Sequence, residues 1–146
     1  MKTMTIRQDG ADEDAPVPAR CADWRQRYPD LSLCPVRGVL DRVGDKWTTL
    51  VLLTLAERPH RFGELRRAIV DISQRMLTQT LRELARDGLV SRRVFPTQPP
   101  GVEYSLTPLG HSLLQPLLGL VRWAESHFAD VEAARAAHDS ATEEAA

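Results

Sequence analysis

Residues Ser73 to Gly88 read SQRMLTQTLRELARDG, and the fold of this stretch decides how the rest of the chain is read. Serine opens it as an N-cap whose hydroxyl accepts a free backbone N–H of the first turn. Glycine closes it, the residue that most readily takes the left-handed conformation ending a helix. At about 100° per residue, Leu77, Leu81 and Leu84 fall on one face. Arg75, Thr78, Gln79 and Arg82 fall on the other. That polar face carries long donors and short hydroxyls without a carboxylate, a set able to reach base edges and phosphates in a major groove. Most polar helix faces are merely solvated, so the flanking sequence has to discriminate.

Immediately upstream, Arg61 to Ile69 (RFGELRRAI) predicts a short helix with Phe62, Leu65 and Ile69 inward and Arg66 and Arg67 outward. Val70-Asp71-Ile72 then makes the turn, giving a helix-turn-helix pattern. Downstream, Leu89 to Phe95 is rich in β-branched and aromatic residues, and Pro96 to Gly101 (PTQPPG) predicts a loop. Val102, Tyr104 and Leu106 alternate with Glu103, Ser105 and Thr107, a period-two strand. Two strands around a proline-rich loop, directly after a helix-turn-helix, predict a β-hairpin wing.

Further out, Pro35 at a first helical turn precedes Val36, Val39, Leu40 and Val43 at i, i+3, i+4, i+7 spacing. Asp45 caps a helix from Lys46 to about Glu57 that is apolar nearly all round, with Trp47, Leu50, Val51 and Thr54 as its main stripe. Such a helix is buried on more than one side, and a subunit interface is one way to cover the second. Thr107-Pro108 opens a long last helix with Leu109, Leu113, Leu117, Leu120, Trp123 and Phe128 on its apolar side, bent at Pro116 and Gly119 and fraying near His138. The expected organisation is an N-terminal arm (1–33), largely disordered although Trp24 and Tyr28 could anchor a short helix, then a domain (34–129) and an acidic alanine-rich tail (130–146). The fold class is mainly α with a small β-hairpin wing.

The formal net charge of −1 conceals a segregation. From Arg58 to Arg93 nine arginines stand against four acidic residues, whereas from Trp123 onward one arginine stands against six. The basic centre retains an anion-binding footprint. Two cysteines, Cys21 and Cys34, are too few for a disulfide scaffold. No C-x-x-C or Cys/His cluster suggests zinc, so no metal or cofactor is expected. The absence of a membrane-length apolar run or signal region leads to the expectation of a soluble, cytoplasmic protein with reduced thiols.

With these elements in order, the chain resembles the HxlR-type (MarR-like) winged helix-turn-helix regulators. The resemblance rests on Cys34-Pro35-Val36, Gly44-x-Lys46-Trp47, Phe62-x-Glu64-Leu65, Ile72-Ser73-Gln74-Arg75-Met76-Leu77-Thr78, Leu81-x-x-Leu84 to Asp87-Gly88-Leu89-Val90, and Val102-Glu103-Tyr104-Ser105-Leu106-Thr107-x-x-Gly110. It spans about residues 34 to 125. It implies a homodimeric bacterial transcription regulator, a repressor on an inverted-repeat operator, whose helix after the turn reads double-stranded DNA. Carried onto this chain, Ser73, Gln74, Arg75, Thr78, Gln79 and Arg82 face the groove, and Arg92 and Arg93 at the wing base lie near phosphate. From the residues themselves, Arg66, Arg67 and Arg82 are expected to neutralise phosphates. The first helix and the long last helix form the dimer interface, here Val36, Val39, Leu40, Leu113, Leu117, Leu120 and Trp123. Two positions depart from the family: Gly101 stands where a basic residue is frequent, and Asp71 where glycine is common.

Cys34 lies just before a helix N-terminus, where the dipole in general favours an anionic sulfur. Some members of the resembled family sense oxidants or electrophiles through a cysteine in this region, which marks Cys34 as the candidate redox sensor and Cys21 as a conceivable resolving partner. The competing reading of Cys34 is a small buried residue beside an interface. Trp47, Trp123 and Phe128 could line a pocket for a small-molecule effector, although aromatics at helical spacing are more often core. His60, His111, His127 and His138 lack metal spacing and read as surface residues. No nucleophile elbow, phosphate loop or carboxylate pair supports an enzyme. The rival to a DNA-binding regulator is a winged-helix protein-interaction module, against which the arginine-rich face argues.

Overall fold

The leucine stripe of the opening stretch is the side that the fold buries, and everything around it is arranged to cover it. The computed structural model describes residues 14–30 and 34–145. In chain order these form α1 (Val17–Arg27), α2 (Pro35–Val43), α3 (Lys46–Glu57), β1 (His60–Arg61), α4 (Phe62–Ala68), α5 (Gln74–Arg86), β2 (Val90–Phe95), β3 (Gly101–Leu106) and α6 (Pro108–Ala145). Two compact units divide between Asp41 and Arg42, inside α2.

In the second unit Leu77, Leu81 and Leu84 of α5 are buried with Val51, Leu52 and Leu55 of α3, Leu65 of α4, Ile69 and Ile72 of the turn, Val90 and Leu106 of the sheet, and Leu117 of α6. Helix α3 contacts α4, α5, α6 and β3. Its all-round apolarity is thus largely explained within its own domain, without a partner subunit. The stripe expected on it was displaced: Thr48, Val51, Leu52 and Leu55 are its buried residues, while Leu50 is exposed and Trp47 and Thr54 are half-buried. When nearly every position is apolar, periodicity cannot choose the side.

The wing is a three-stranded antiparallel sheet in the order β1-β3-β2. The expected hairpin is β2 and β3, registered from Val90 opposite Leu106 to Phe95 opposite Gly101, so Gly101 begins a strand and does not belong to the loop. The two-residue β1 pairs His60 with Tyr104 and Arg61 with Glu103. This pairing buries His60, 4 % exposed, against the surface placement expected for it, with Nδ1 2.7 Å from the Arg58 carbonyl oxygen. His111, His127 and His138 are exposed as expected.

One junction ties α5, the wing and α6 together. Gly88, at φ +75°, reverses the chain beyond α5. The Leu89 N–H donates to the Leu84 carbonyl, and the Thr107 N–H donates to the Leu89 carbonyl at 3.1 Å. The Thr107 hydroxyl donates to the Gly88 carbonyl at 2.6 Å and accepts from the Gly110 N–H at 3.0 Å, capping α6. A side chain at Gly110 would run into the Leu89 carbonyl oxygen, so the close approach of α6 requires glycine.

Helix α6 continues through Pro116 to Ala145 without a separate tail. The residues from Asp130 on are alanine-rich, and alanine has the highest helix propensity. Leu117 is a core residue, 2 % exposed, which removes it from the expected interface set, and Leu113 is half-buried against the same core. Leu120, Trp123 and Phe128 are exposed, so neither aromatic belongs to the core of this chain. Trp123 instead stacks on His127 at 4.8 Å.

In the first unit, α1 spans the stretch in which Trp24 and Tyr28 suggest a short helix. Pro16 is its N-cap, proline in the first turn presets φ, and Val17 and Pro18 belong to the helix. Trp24 and Tyr28 sit with ring centroids 6.5 Å apart, and Asp23 pairs with Arg27 at 3.0 Å. The remainder of the arm's residues, 1–13 and 31–33, lies outside the described residues. Val36, Val39 and Leu40 of α2 are exposed.

Substituting Gly110→Ala should lower stability by about 1–3 kcal/mol, because the new methyl group forces α6 off Leu89. A fall in the urea midpoint without a change in slope checks this.

Candidate nucleic-acid interface

Helix α5 begins where the sequence places it, with the Ser73 hydroxyl accepting from the Met76 N–H at 3.0 Å. The preceding turn buries Ile69 and Ile72 while Asp71 adopts φ +71°. Glycine takes that left-handed backbone most freely, and aspartate is one of the few other residues that tolerates it. The burial of Leu77, Leu81 and Leu84, with Thr80 beside them, fixes which face of α5 is outward.

Gln74, Arg75, Thr78, Gln79 and Arg82 line one continuous outward concavity. The Thr78 hydroxyl donates to the Gln74 carbonyl at 2.8 Å, which turns its methyl group and lone pairs outward. Arg66 Nη1 lies 3.5 Å from Gln74 Oε1, so the α4 arginine is held against the start of the reading helix. Arg67 is exposed on α4. A second concavity, lined by Thr78, Leu81, Arg82, Ala85, Arg92 and Tyr104, carries this surface from α5 onto the wing.

Two acids could spoil such a face, and Arg42 holds both. Its Nη1 is 3.0 Å from Glu83 Oε2 and its Nε 2.7 Å from Asp87 Oδ2. The other Glu83 oxygen accepts weakly from Gln79 Nε2 at 3.4 Å. Arg42 was not among the residues the sequence singled out. Its partners lie more than forty positions away, and no local spacing signals the contact.

Arg92 and Arg93 do not act as one pair at the wing base, because successive strand residues face opposite sides. Arg92, opposite Tyr104, joins the concavity beside α5. Arg93 lies over the Phe95 ring at 4.7 Å on the other face, and Arg61 over the same ring at 5.3 Å. The Arg61 N–H donates to Glu64 Oε1 at 3.2 Å, and Arg58 Nη1 lies 2.9 Å from Glu64 Oε2. The backbone N–H of Arg61, then the Arg58 guanidinium, hold the Glu64 carboxyl below its ordinary range. Its contribution to the start of α4 is therefore present above the ordinary glutamate pKa and is lost as pH falls through the lowered value.

Both cysteines are free thiols: Cys21 is exposed on α1, and Cys34 is buried just ahead of α2. Among the described residues no cluster of histidine, cysteine, aspartate and glutamate could hold a metal ion. None of their helices is long and apolar enough to cross a membrane.

A buried-face reading helix after a short turn, flanked by a wing and free of acid on its outer side, defines a winged helix-turn-helix DNA-binding protein. The chain belongs to the HxlR-like helix-turn-helix family, whose profile matches residues 42–132. Cys34 lies ahead of that match. Over 102 residues it is 44 % identical to YtfH, an HTH-type transcriptional regulator of Escherichia coli (strain K12), a match covering 70 % of this chain and 81 % of that protein. Among solved structures it is similar to ytfH from Salmonella typhimurium, at 41 % identity and a TM-score of 0.64, covering 71 % of this chain and 93 % of that one. It is also similar to the redox regulator HypR in its reduced form, at 42 % identity and a TM-score of 0.65, covering 68 % and 99 %. The chain is thus a transcriptional regulator by family.

Replacing Arg42 by alanine should release the Glu83 and Asp87 carboxylates beside the reading face. At side-chain exposures of 25–35 % the two pairs contribute about 1 kcal/mol or less each to stability. The larger expected effect is on DNA affinity, weakened at low salt and converging with the wild type as salt rises.

Proposed function

We propose that the protein is a cytoplasmic, sequence-specific regulator of double-stranded DNA that binds an inverted-repeat operator as a homodimer and represses by occupying it. One observation carries this reading: α5 turns Arg75, Thr78, Gln79 and Arg82 outward together, with its nearest acids drawn onto Arg42. Arg75 and Gln79 are suited to bidentate contacts with base edges, the first with guanine and the second with adenine. Arg66, Arg67, Arg82 and Arg92 neutralise phosphates, and Ser73 and Gln74 set the entry of the helix into the groove. Repression needs nothing beyond occupancy of a promoter-overlapping site.

The dimer is supported by apolar side chains left uncovered in the single chain: Val36, Val39 and Leu40 on α2, and Leu120 and Trp123 on α6. Half-buried Leu113 borders that stretch, while Leu117 is spent on the core. Two copies present two reading helices, so half-sites should be spaced by about one helical turn, roughly 10 bp, or a multiple. Control by an oxidant or electrophile at Cys34 is supported by its place at the start of α2 and by the redox regulator among the similar structures.

Arg75→Ala should cost about 1–3 kcal/mol of operator affinity and relax specificity at one base step. A uniform loss across all DNA sequences would assign Arg75 to phosphate instead. For the input, operator binding by Cys34→Ser should persist under an oxidant that releases the wild type. Release of the variant by the same oxidant would clear Cys34 of the sensing role.

A further inference from the structure

The outer face of the wing carries a second cationic feature, separate from the surface beside α5. Strand β1 is only two residues long, yet Arg61 is held firmly. Its neighbour His60 is buried opposite Tyr104, its own backbone pairs with Glu103, and its N–H is taken by Glu64. From that anchor the side chain crosses β3 over Gly101. A Cβ built at Gly101 would lie 2.9 Å from Arg61 Nη1 and 3.3 Å from its Cζ, so the guanidinium occupies the space any larger residue would fill. Beyond Gly101 it meets Phe95, whose ring also receives Arg93.

We propose that Arg61 and Arg93, converging on Phe95, form a phosphate clamp that grips the DNA backbone flanking the groove read by α5, with Gly101 as the opening that admits Arg61. This rests on the DNA-binding function proposed above. An aromatic ring orders a guanidinium without neutralising it, leaving its N–H edge available to an anion. Glu103 lies opposite both arginines in the register, yet neither forms an ion pair with it. Two like charges drawn to one ring repel each other, and a polyanion is the partner that relieves this. Gly101 is therefore no loss of grip at the wing: the cation missing from β3 is supplied by β1.

The test is binding of the full chain to a duplex of random sequence, titrated over a range of salt concentrations. Arg61→Ala should lower the slope of log affinity against log salt by about one unit, and Arg61→Lys should largely retain it. Gly101→Ala, which keeps the charge and displaces only the end of a flexible side chain, should lower affinity at a given salt concentration by less than Arg61→Ala while leaving the slope near the wild-type value. The double variant should lose no more than Arg61→Ala alone. A wild-type slope in Arg61→Ala, beside a lowered slope in Arg82→Ala, would overturn the clamp and leave the DNA-binding function standing. Wild-type affinity in Gly101→Ala would overturn the role given to the glycine. A wild-type chain without salt-dependent binding would overturn the function itself.

Discussion

The arrangement of α5, the wing and the start of α6 depends on the Thr107 junction. One hydroxyl bonds the Gly88 carbonyl just past α5 and the Gly110 N–H in the first turn of α6. One carbonyl, that of Leu89, accepts the Thr107 N–H directly beneath Gly110. The last turn of α5, the base of the wing and the first turn of α6 are thereby joined within a few residues. Without it, the leucines of α5 would still bury themselves and Leu89 would still bond Leu84, but the hydrogen bonds that tie this end of α5 to the start of α6 would be gone. Non-directional packing holds a helix down; directional hydrogen bonds set its pose.

Electrostatics then operate on a fixed frame. The basic centre of the chain contains four acids, and their placement matters more than their number. Glu83 and Asp87 are taken by Arg42, and Glu64 by Arg58 and the start of α4. Asp71 remains in the turn, where its left-handed backbone excludes most residues other than glycine and asparagine. Three of four acids are thus spent on internal structure, and the positive charge of the arginines is left for the outside. A net charge near zero is compatible with a strong local field for this reason.

Legibility from the sequence followed the kind of constraint involved. Helix α5 was readable residue by residue, because its apolar and polar positions separate at one period and both ends carry caps. Helix α3 is legible as a helix but its buried side is not, since apolar residues on every face leave nothing for a period to select. Strand β1 was invisible: two residues have no periodicity, and only their pairing with β3 makes them a strand. The burial of His60 and the positions of Arg61 and Arg42 follow from such long-range contacts and share that opacity. Arg92 and Arg93 are different, since the two-residue period of a strand already sends adjacent side chains to opposite faces. The apolar run on α6 was legible as a run, but not where it changes from core at Leu117 to surface at Leu120, which depends on how far α3 extends beside it.

That change along α6 bears on how a protein of this build can be controlled. Within one chain, the hydrogen bonds of Thr107 and Leu89 join the end of α5, the base of the wing and the start of α6. The adjustable quantity in the proposed dimer is the separation of two reading helices, which is set wherever the two copies meet. The side chains offered for that meeting are Leu120 and Trp123 on α6 and Val36, Val39 and Leu40 on α2, none of which belongs to the reading face. Cys34 immediately precedes this part of α2. A covalent change at a buried thiol there must either find new space or move the helix start, because close-packed surroundings do not absorb added atoms freely. A shift of an ångström or two between copies would leave each reading helix intact while ending its match to a pair of half-sites fixed by the pitch of the duplex.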